Sequence, residues 1–199
     1  MYHAKELGRA RQSTFDIELE QRLADRLVLD QELRVALERR EFEVHYQPEV
    51  DLENGRIVGA EALLRWRTDG VLRDAYTFID VVEETGLIVP VGRWVLDEAC
   101  RTVARWRSMG VDPDFAMRVN LSPRQLEDPD LVDLVGSALA RYGLDPHNLC
   151  LEITETALMT DAEASLAVLQ RLDTLGVALA IDDFGTGYSS LSYLKRFPV

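Results

Sequence analysis

The sequence predicts an α/β fold of repeated strand-then-helix units, part of a (β/α) barrel, and three observations lead there. Polar residues sit on or at the end of apolar runs at four places: Glu61 in EALLRW, Asn120 in VNLSPRQL, Glu152 in LEITET and Asp182-Asp183 in IDDFGTGYSS. The spacing is regular, since Asn120 and Glu152 are 32 residues apart and Glu152 and Asp182 are 30 apart, each step fitting one strand and a return helix. Polar residues at successive strand ends gather at one rim of such a barrel, where active sites form. Glu61 and Asn120 are 59 residues apart, about two steps.

Each element follows from local pattern. Residues 1–16 are basic and polar, whereas residues 17–40 carry Leu23, Leu27, Leu29, Leu33 and Leu37 between charges, an amphipathic helix. Residues 41–50 alternate, with Phe42, Val44 and Tyr46 on one face, and Asn54-Gly55 separates them from a second strand at 56–66. Asn-Gly between two strand patterns signals a hairpin, so the first strand is expected to run antiparallel to the second. A two-residue turn would set Gln47 opposite Ala62, but Pro48 cannot donate to a ladder and favours a bulge, which leaves the register open. Residues 69–87 read as loop-rich with a short helix over 78–84, followed by a strong helix at 91–109 that stops at Gly110. A strand at 116–121, a helix at 130–142 stopped by Gly143, a strand at 149–153 and a helix at 161–175 stopped by Gly176 come next. A buried strand at 177–181 and the start of a helix at 188–196 complete the series.

Composition narrows the function. With 199 residues and 47% hydrophobic content the chain can bury a sizeable core. A complete eight-stranded barrel typically takes about 250 residues, so about five of eight strands are expected here, an open piece with an exposed edge. The net charge of −13, with no basic stripe, argues against a nucleic-acid polymer as partner. The same charge repels a small phosphate-bearing substrate unless divalent cations sit among the carboxylates and invert the local potential. Cys100 and Cys150 lack metal-site spacing and read as buried thiols of a reducing, cytoplasmic compartment. No stretch in this chain approaches a membrane span, although an anchor elsewhere in a parent chain is compatible with the pattern.

Residues two apart on a strand share a face, so Glu61, Leu63 and Arg65 point one way and Ala62, Leu64 and Trp66 the other. Glu61 and Arg65 read either as a solvated rim pair or as a cation ligand and a phosphate contact. Asn120 is a helix cap or an uncharged oxygen ligand for a hard cation. Glu152 ends its strand and is the better ligand of its motif; Glu155, three residues on, has a different job or is a first-turn acid. Asp182 and Asp183 repel each other unless a cation binds, and one could bridge two metals while the other activates water. Gly185 and Gly187, with Phe184 and Thr186, suit a loop over substrate, as well as an ordinary turn. His3, His45 and His147 are scattered and form no metal or nucleophile pattern.

The segments HYQPEVDLENGRIVGAEALLRW, VNLSPRQL, LEITET and IDDFGTGYSSLSYLKRFPV resemble those of the EAL-domain cyclic di-GMP phosphodiesterases, from about residue 30 onward. The stretch MYHAKELGRARQSTFD resembles the end of a GGDEF diguanylate cyclase domain, which gives expected boundaries of 1–16 for that tail, 17–40 for an entry helix and 41–199 for a partial EAL domain. The resemblance implies a partial TIM-like (β/α) barrel with an antiparallel first strand, and hydrolysis of cyclic di-GMP to linear pGpG with two Mg²⁺ or Mn²⁺ ions in bacterial second-messenger signalling. It implies Glu61, Asn120, Glu152, Asp182 and Asp183 as metal ligands, with Asp183 also holding the nucleophilic water. Glu155 would steady the loop that includes Phe184, Gly185, Thr186 and Gly187, and Gln47, Leu63 and Arg65 would contact the dinucleotide. Family members continue past the equivalent of Val199 into strands that bring a lysine, a glutamate and a glutamine to the site, so this chain alone is expected to be inactive. Asp80 stands where proline is common. An upstream GGDEF domain and a homodimer paired through the barrel are the implied partners. The alternative expectation is a module that binds cyclic di-GMP or a protein and signals without turnover.

Overall fold

The computed structural model describes residues 3–182 and 196–198. A 37-residue helix, α1 (His3–Arg39), leads into an antiparallel hairpin of β1 (Phe42–Val50) and β2 (Ile57–Thr68). A short β3 (Val71–Asp74), α2 (Ile79–Glu84) and α3 (Ile88–Ser108) follow. Next come β4 (Ala116–Leu121), α4 (Pro123–Leu126), α5 (Leu131–Tyr142), β5 (Leu149–Thr154), α6 (Glu155–Thr160), α7 (Ala162–Leu175) and β6 (Ala178–Asp182). The sheet runs β1-β2-β4-β5-β6, with β3 paired to β2. All pairings from β2 through β4 and β5 to β6 are parallel, so the strands end at one rim, as the strand-helix spacing requires. This is the mixed α/β architecture of an open barrel segment with a reversed first strand.

Two faces of the sheet have different chemistry. Ala60, Ala62, Met117, Val119, Leu121, Leu149, Leu151 and Ile153 are buried in the main core with Val91, Val95, Val103, Val135, Leu169 and Leu172 from the helices. The intervening residues Glu61, Arg118, Asn120, Cys150, Glu152 and Asp182 alternate with them and lie on the opposite, inner face. Gly143 and Gly176 end α5 and α7 with positive φ of 63° and 94°, conformations that cost other residues strain.

Several expectations are refined. Helix α1 extends back through the polar stretch to His3, beyond the apolar pattern at 17–40, because Ala, Arg, Glu, Lys and Gln favour helix without any apolar face. Its Leu29, Leu33, Ala36 and Leu37 pack on the body, and Arg26 pairs with Glu84 of α2 at 2.7 Å. The loop-rich reading of 69–87 missed β3, which returns along β2 through a turn with Asp69 at φ 49° and Gly70 at φ 76°. Positive φ at both positions is the hairpin geometry that Asp-Gly favours. The β1–β2 register is Gln47 opposite Glu61 and Pro48 opposite Ala60; the irregularity falls at Glu49/Val50, nearer the turn than Pro48. Pro48 is tolerated because its strand lies at the sheet edge. The expected helix at 188–196 and the loop at 184–187 lie outside the described residues.

Candidate active site

Neighbouring residues of parallel strands share a face, so the register places the predicted site residues relative to one another. Gln47, Glu61, Arg118 and Cys150 occupy one rung across β1, β2, β4 and β5. Asn120 and Glu152 pair one rung higher, and Thr154 pairs with Asp182 one rung above that. Glu61, Asn120, Glu152 and Asp182 therefore climb the inner face as a diagonal toward the rim. The Asn120 amide reaches down that diagonal and donates from Nδ2 to Glu61 Oε1 at 2.7 Å.

Arg118 fills the inner face level with Glu61 and one rung below Asn120 and Glu152. Its Nη1 donates to Glu152 Oε1 at 2.8 Å and lies 3.8 Å from Cys150 Sγ, while Nε sits 2.6 Å from Glu49 Oε1, close but without the alignment of a hydrogen bond. Glu49 belongs to β1, and β2 lies between it and Arg118. The crossing passes Gly59, paired with Glu49, where a Cβ would come 3.0 Å from Glu49 Oε2 and 2.5 Å from Ala116 O. Burial pushes the Glu152 carboxyl above its usual range, Arg118 pulls it down, and the charges of Glu61 and Asp182 push it up again. The strand-end acids thus feel one another through a partly desolvated space.

The remaining predicted residues fall as follows. Glu155 does not share the strand face of Glu152: the chain turns at Thr154, whose hydroxyl accepts from Ala157 N, and Glu155 is a buried first-turn residue of α6. Arg65 is engaged by Asp74 of β3, Nε to Oδ1 at 2.8 Å, and donates from Nη1 to the Leu64 carbonyl at 2.9 Å. Leu63, Asn120 and Thr154 line a cavity of about 230 Å³ at the rim, between β2, α2, α3 and α4. A larger opening, about 810 Å³ with Tyr46, Trp106 and Phe115 in its wall, lies away from the four acid-motif residues. Gln47 is exposed on the Glu61 rung. Asp183 and Phe184, Gly185, Thr186 and Gly187 lie outside the described residues.

The donor set is three carboxylates and one amide, all hard oxygens, the chemistry that suits Mg²⁺, Mn²⁺ or Ca²⁺ over softer ions. Among the described residues no three His, Cys, Asp or Glu side chains already cluster tightly enough to hold an ion. Two features account for that. The diagonal spreads the acids over three rungs, and Arg118 occupies one oxygen of Glu152. Strand alternation alone sets Arg118 on the face of Asn120, two residues on, where it can neutralise an acidic neighbour below the site; its partner Glu49 emerges only from the bulged register. The Ser122–Gln125 capping box that turns the chain after Asn120 was legible as a Ser-x-x-Gln pattern and was missed.

Parallel strands carrying acidic residues on the inner face define an open segment of a (β/α) barrel in architecture. The chain belongs to the EAL domain family, whose domain matches residues 30–199. It is 48% identical over 200 residues to the bifunctional diguanylate cyclase/cyclic di-GMP phosphodiesterase MucR of Pseudomonas aeruginosa, which covers all of this chain and 29% of that protein. The chain thus spans less than a third of that relative's length. A solved structure described as the PaMucR phosphodiesterase in complex with c-di-GMP is 50% identical, with TM-score 0.81 over 86% of this chain and 69% of that one. The EAL enzyme Bd1971, in its cAMP- and cyclic-di-GMP-bound form, gives TM-score 0.83 at 33% identity over 98% of this chain and 55% of that one. Among the described residues, no helix is long and apolar enough to cross a membrane.

Proposed function

We propose that these residues form part of a cyclic di-GMP phosphodiesterase that cleaves the cyclic dinucleotide to linear pGpG with the help of divalent metal. The observation that carries the reading is the diagonal of Glu61, Asn120, Glu152 and Asp182 on the inner face of four neighbouring strands, rising toward the rim. Family membership and the c-di-GMP complex of a 50%-identical structure support it. Water adds to one phosphorus, the P–O3′ bond breaks, and the product carries a 5′-phosphate and a free 3′-hydroxyl.

In this reading the four diagonal residues and Asp183 hold two ions, Mg²⁺ or Mn²⁺. When bound, those ions supply charge neutralisation at the phosphoryl oxygens and acidify water. Asp183 and Glu61 orient the attacking water and take its proton. Glu155, fixed in the first turn of α6, has the role of steadying the loop at 184–187. Gln47 and Leu63 border the dinucleotide, and Arg65 reaches a phosphate by exchanging its Asp74 partner. Residues 1–16 end a GGDEF domain, in keeping with the name of the MucR relative, residues 17–40 form the entry helix, and a second copy of the chain pairs through the barrel. The compartment is the cytoplasm.

The test is incubation of the whole protein with Mn²⁺ and cyclic di-GMP, resolving pGpG by chromatography. Turnover that Glu61→Ala reduces at least about 100-fold supports the reading, a loss of about 3 kcal/mol of transition-state stabilisation. No pGpG from either protein removes it, and tight binding without turnover assigns the chain to the non-catalytic alternative.

A further inference from the structure

Three strands of the inner face, β1, β4 and β5, are tied together by one guanidinium. Glu49 on β1 reaches across Gly59 of β2 to Arg118 on β4, and Arg118 reaches on to Glu152 on β5. The chain of contacts climbs one rung per step, from Glu49 to Arg118 on the Glu61 rung, and meets the acid diagonal at Glu152. Arg118 is half-buried, Glu152 mostly buried, and Cys150 forms the floor beside them. A cation in this place meets the two needs of the site at once. It offsets the repulsion among Glu61, Glu152 and Asp182, and it fixes the rotamer of Glu152 by holding one of its two oxygens.

We propose that Arg118 is a positioning residue for the metal site: a resident counter-charge that holds Glu152 Oε1 from below, offers Oε2 to the rim, and is anchored by Glu49 across Gly59. This rests on the metal-dependent reading above. Glu152 then serves as a one-oxygen ligand, and the metal-free protein keeps its acids in place because a side chain already balances part of their charge. Glu49 acts through Arg118, and Gly59 keeps the path open, since a Cβ there collides with the Ala116 carbonyl and crowds the Glu49 carboxylate.

The experiment is thermal unfolding of the protein and of Arg118→Met, Arg118→Lys, Glu49→Gln and the Arg118→Met/Glu49→Gln double variant, each with EDTA and with Mn²⁺. In EDTA, Arg118→Met is expected to lower Tm by about 5 °C and Arg118→Lys, which keeps the charge but loses the fork, by about half that. Mn²⁺ is expected to raise Tm more in Arg118→Met than in the wild type, because the ion takes over the missing positive charge. The two single substitutions are expected to be non-additive in EDTA. Equal Mn²⁺ responses in wild type and Arg118→Met overturn the counter-charge role while leaving the metal site standing. Additive losses overturn the anchoring by Glu49. If neither protein responds to Mn²⁺, the metal reading falls instead, and the coupling measured in EDTA alone decides whether Glu49 and Arg118 form one bridge. Should Arg118→Met not fold, the polar Arg118→Gln, which also removes the charge, carries the same Mn²⁺ comparison.

Discussion

Two glycine-to-alanine substitutions in helices should act in opposite directions, and the reason reaches the site. Alanine gains about 1 kcal/mol over glycine in a helix interior. At Gly136 in α5 a new Cβ meets only Leu175 methyls at 3.6 and 3.7 Å, ordinary contact, so Gly136→Ala should stabilise by about 0.5–1 kcal/mol. At Gly92 in α3 the Cβ would lie 2.1 Å from Gln125 Nε2 and 2.6 Å from its Cδ. Gln125 is buried, and its Oε1 accepts from Ser122 N at 3.1 Å, closing the capping box that turns the chain after Asn120. Driving that side chain away costs about 1–3 kcal/mol for the orphaned amide and a similar amount for overpacking. After the helix gain of about 1 kcal/mol is subtracted, Gly92→Ala should lose about 1–5 kcal/mol and several degrees of Tm. Urea and thermal unfolding of both variants decide the matter. A Gly92→Ala protein as stable as Gly136→Ala would refute the claim that Gly92 exists to admit the cap.

Burial, with help from Asp97, pushes the Cys100 thiol up to about 12, so the folded protein should resist iodoacetamide at pH 9 and react only on unfolding. Because its folded pKa lies above the unfolded one, this thiol's contribution to stability is complete below about pH 8.5 and is lost as pH rises toward 12; a Cys100→Ala protein should show a flatter decline in alkali. Asn148 donates from Nδ2 to the carbonyls of Pro113 and Phe115 and accepts at Oδ1 from Arg107 and Asp145 N. Asn148→Ala should therefore cost about 3 kcal/mol by chemical denaturation, yet leave any Mn²⁺ response unchanged, since Asn148 lies just before the start of β5, opposite the rim. Gly70 has open space around a Cβ but a φ of 76°, so Gly70→Ala should cost only about 1 kcal/mol of backbone strain, measured by the same method.

The sequence was most legible where periodicity and rim chemistry coincided. Strands β4, β5 and β6 lie within one residue of their expected bounds because a parallel strand is a short apolar run with a polar end; β6, expected to be buried, is instead partly exposed as the last strand of the described sheet. The reversed first strand was legible in Asn54-Gly55. Strand β3 was signalled by Asp69-Gly70 but hidden, because Val71, Leu72, Arg73 and Asp74 are all exposed and show no alternation. The polar half of α1 carries helix propensity without an apolar stripe, which periodicity cannot register. Arg118 illustrates the deeper limit. Its placement follows from the strand pattern, but its two partners lie 69 residues before and 34 after it and meet only through a bulged register and a glycine gap.

The central claim is that oxygens from successive strand ends converge on shared divalent ions, and diffraction at the manganese edge from crystals grown with Mn²⁺ and a non-hydrolysable cyclic di-GMP analogue tests it most directly. The account predicts anomalous peaks about 2.0–2.3 Å from oxygens of Glu61, Asn120, Glu152 and Asp182, with Arg118 still on Glu152 Oε1. Peaks elsewhere, or a bound dinucleotide with no manganese between it and these four residues, would contradict it.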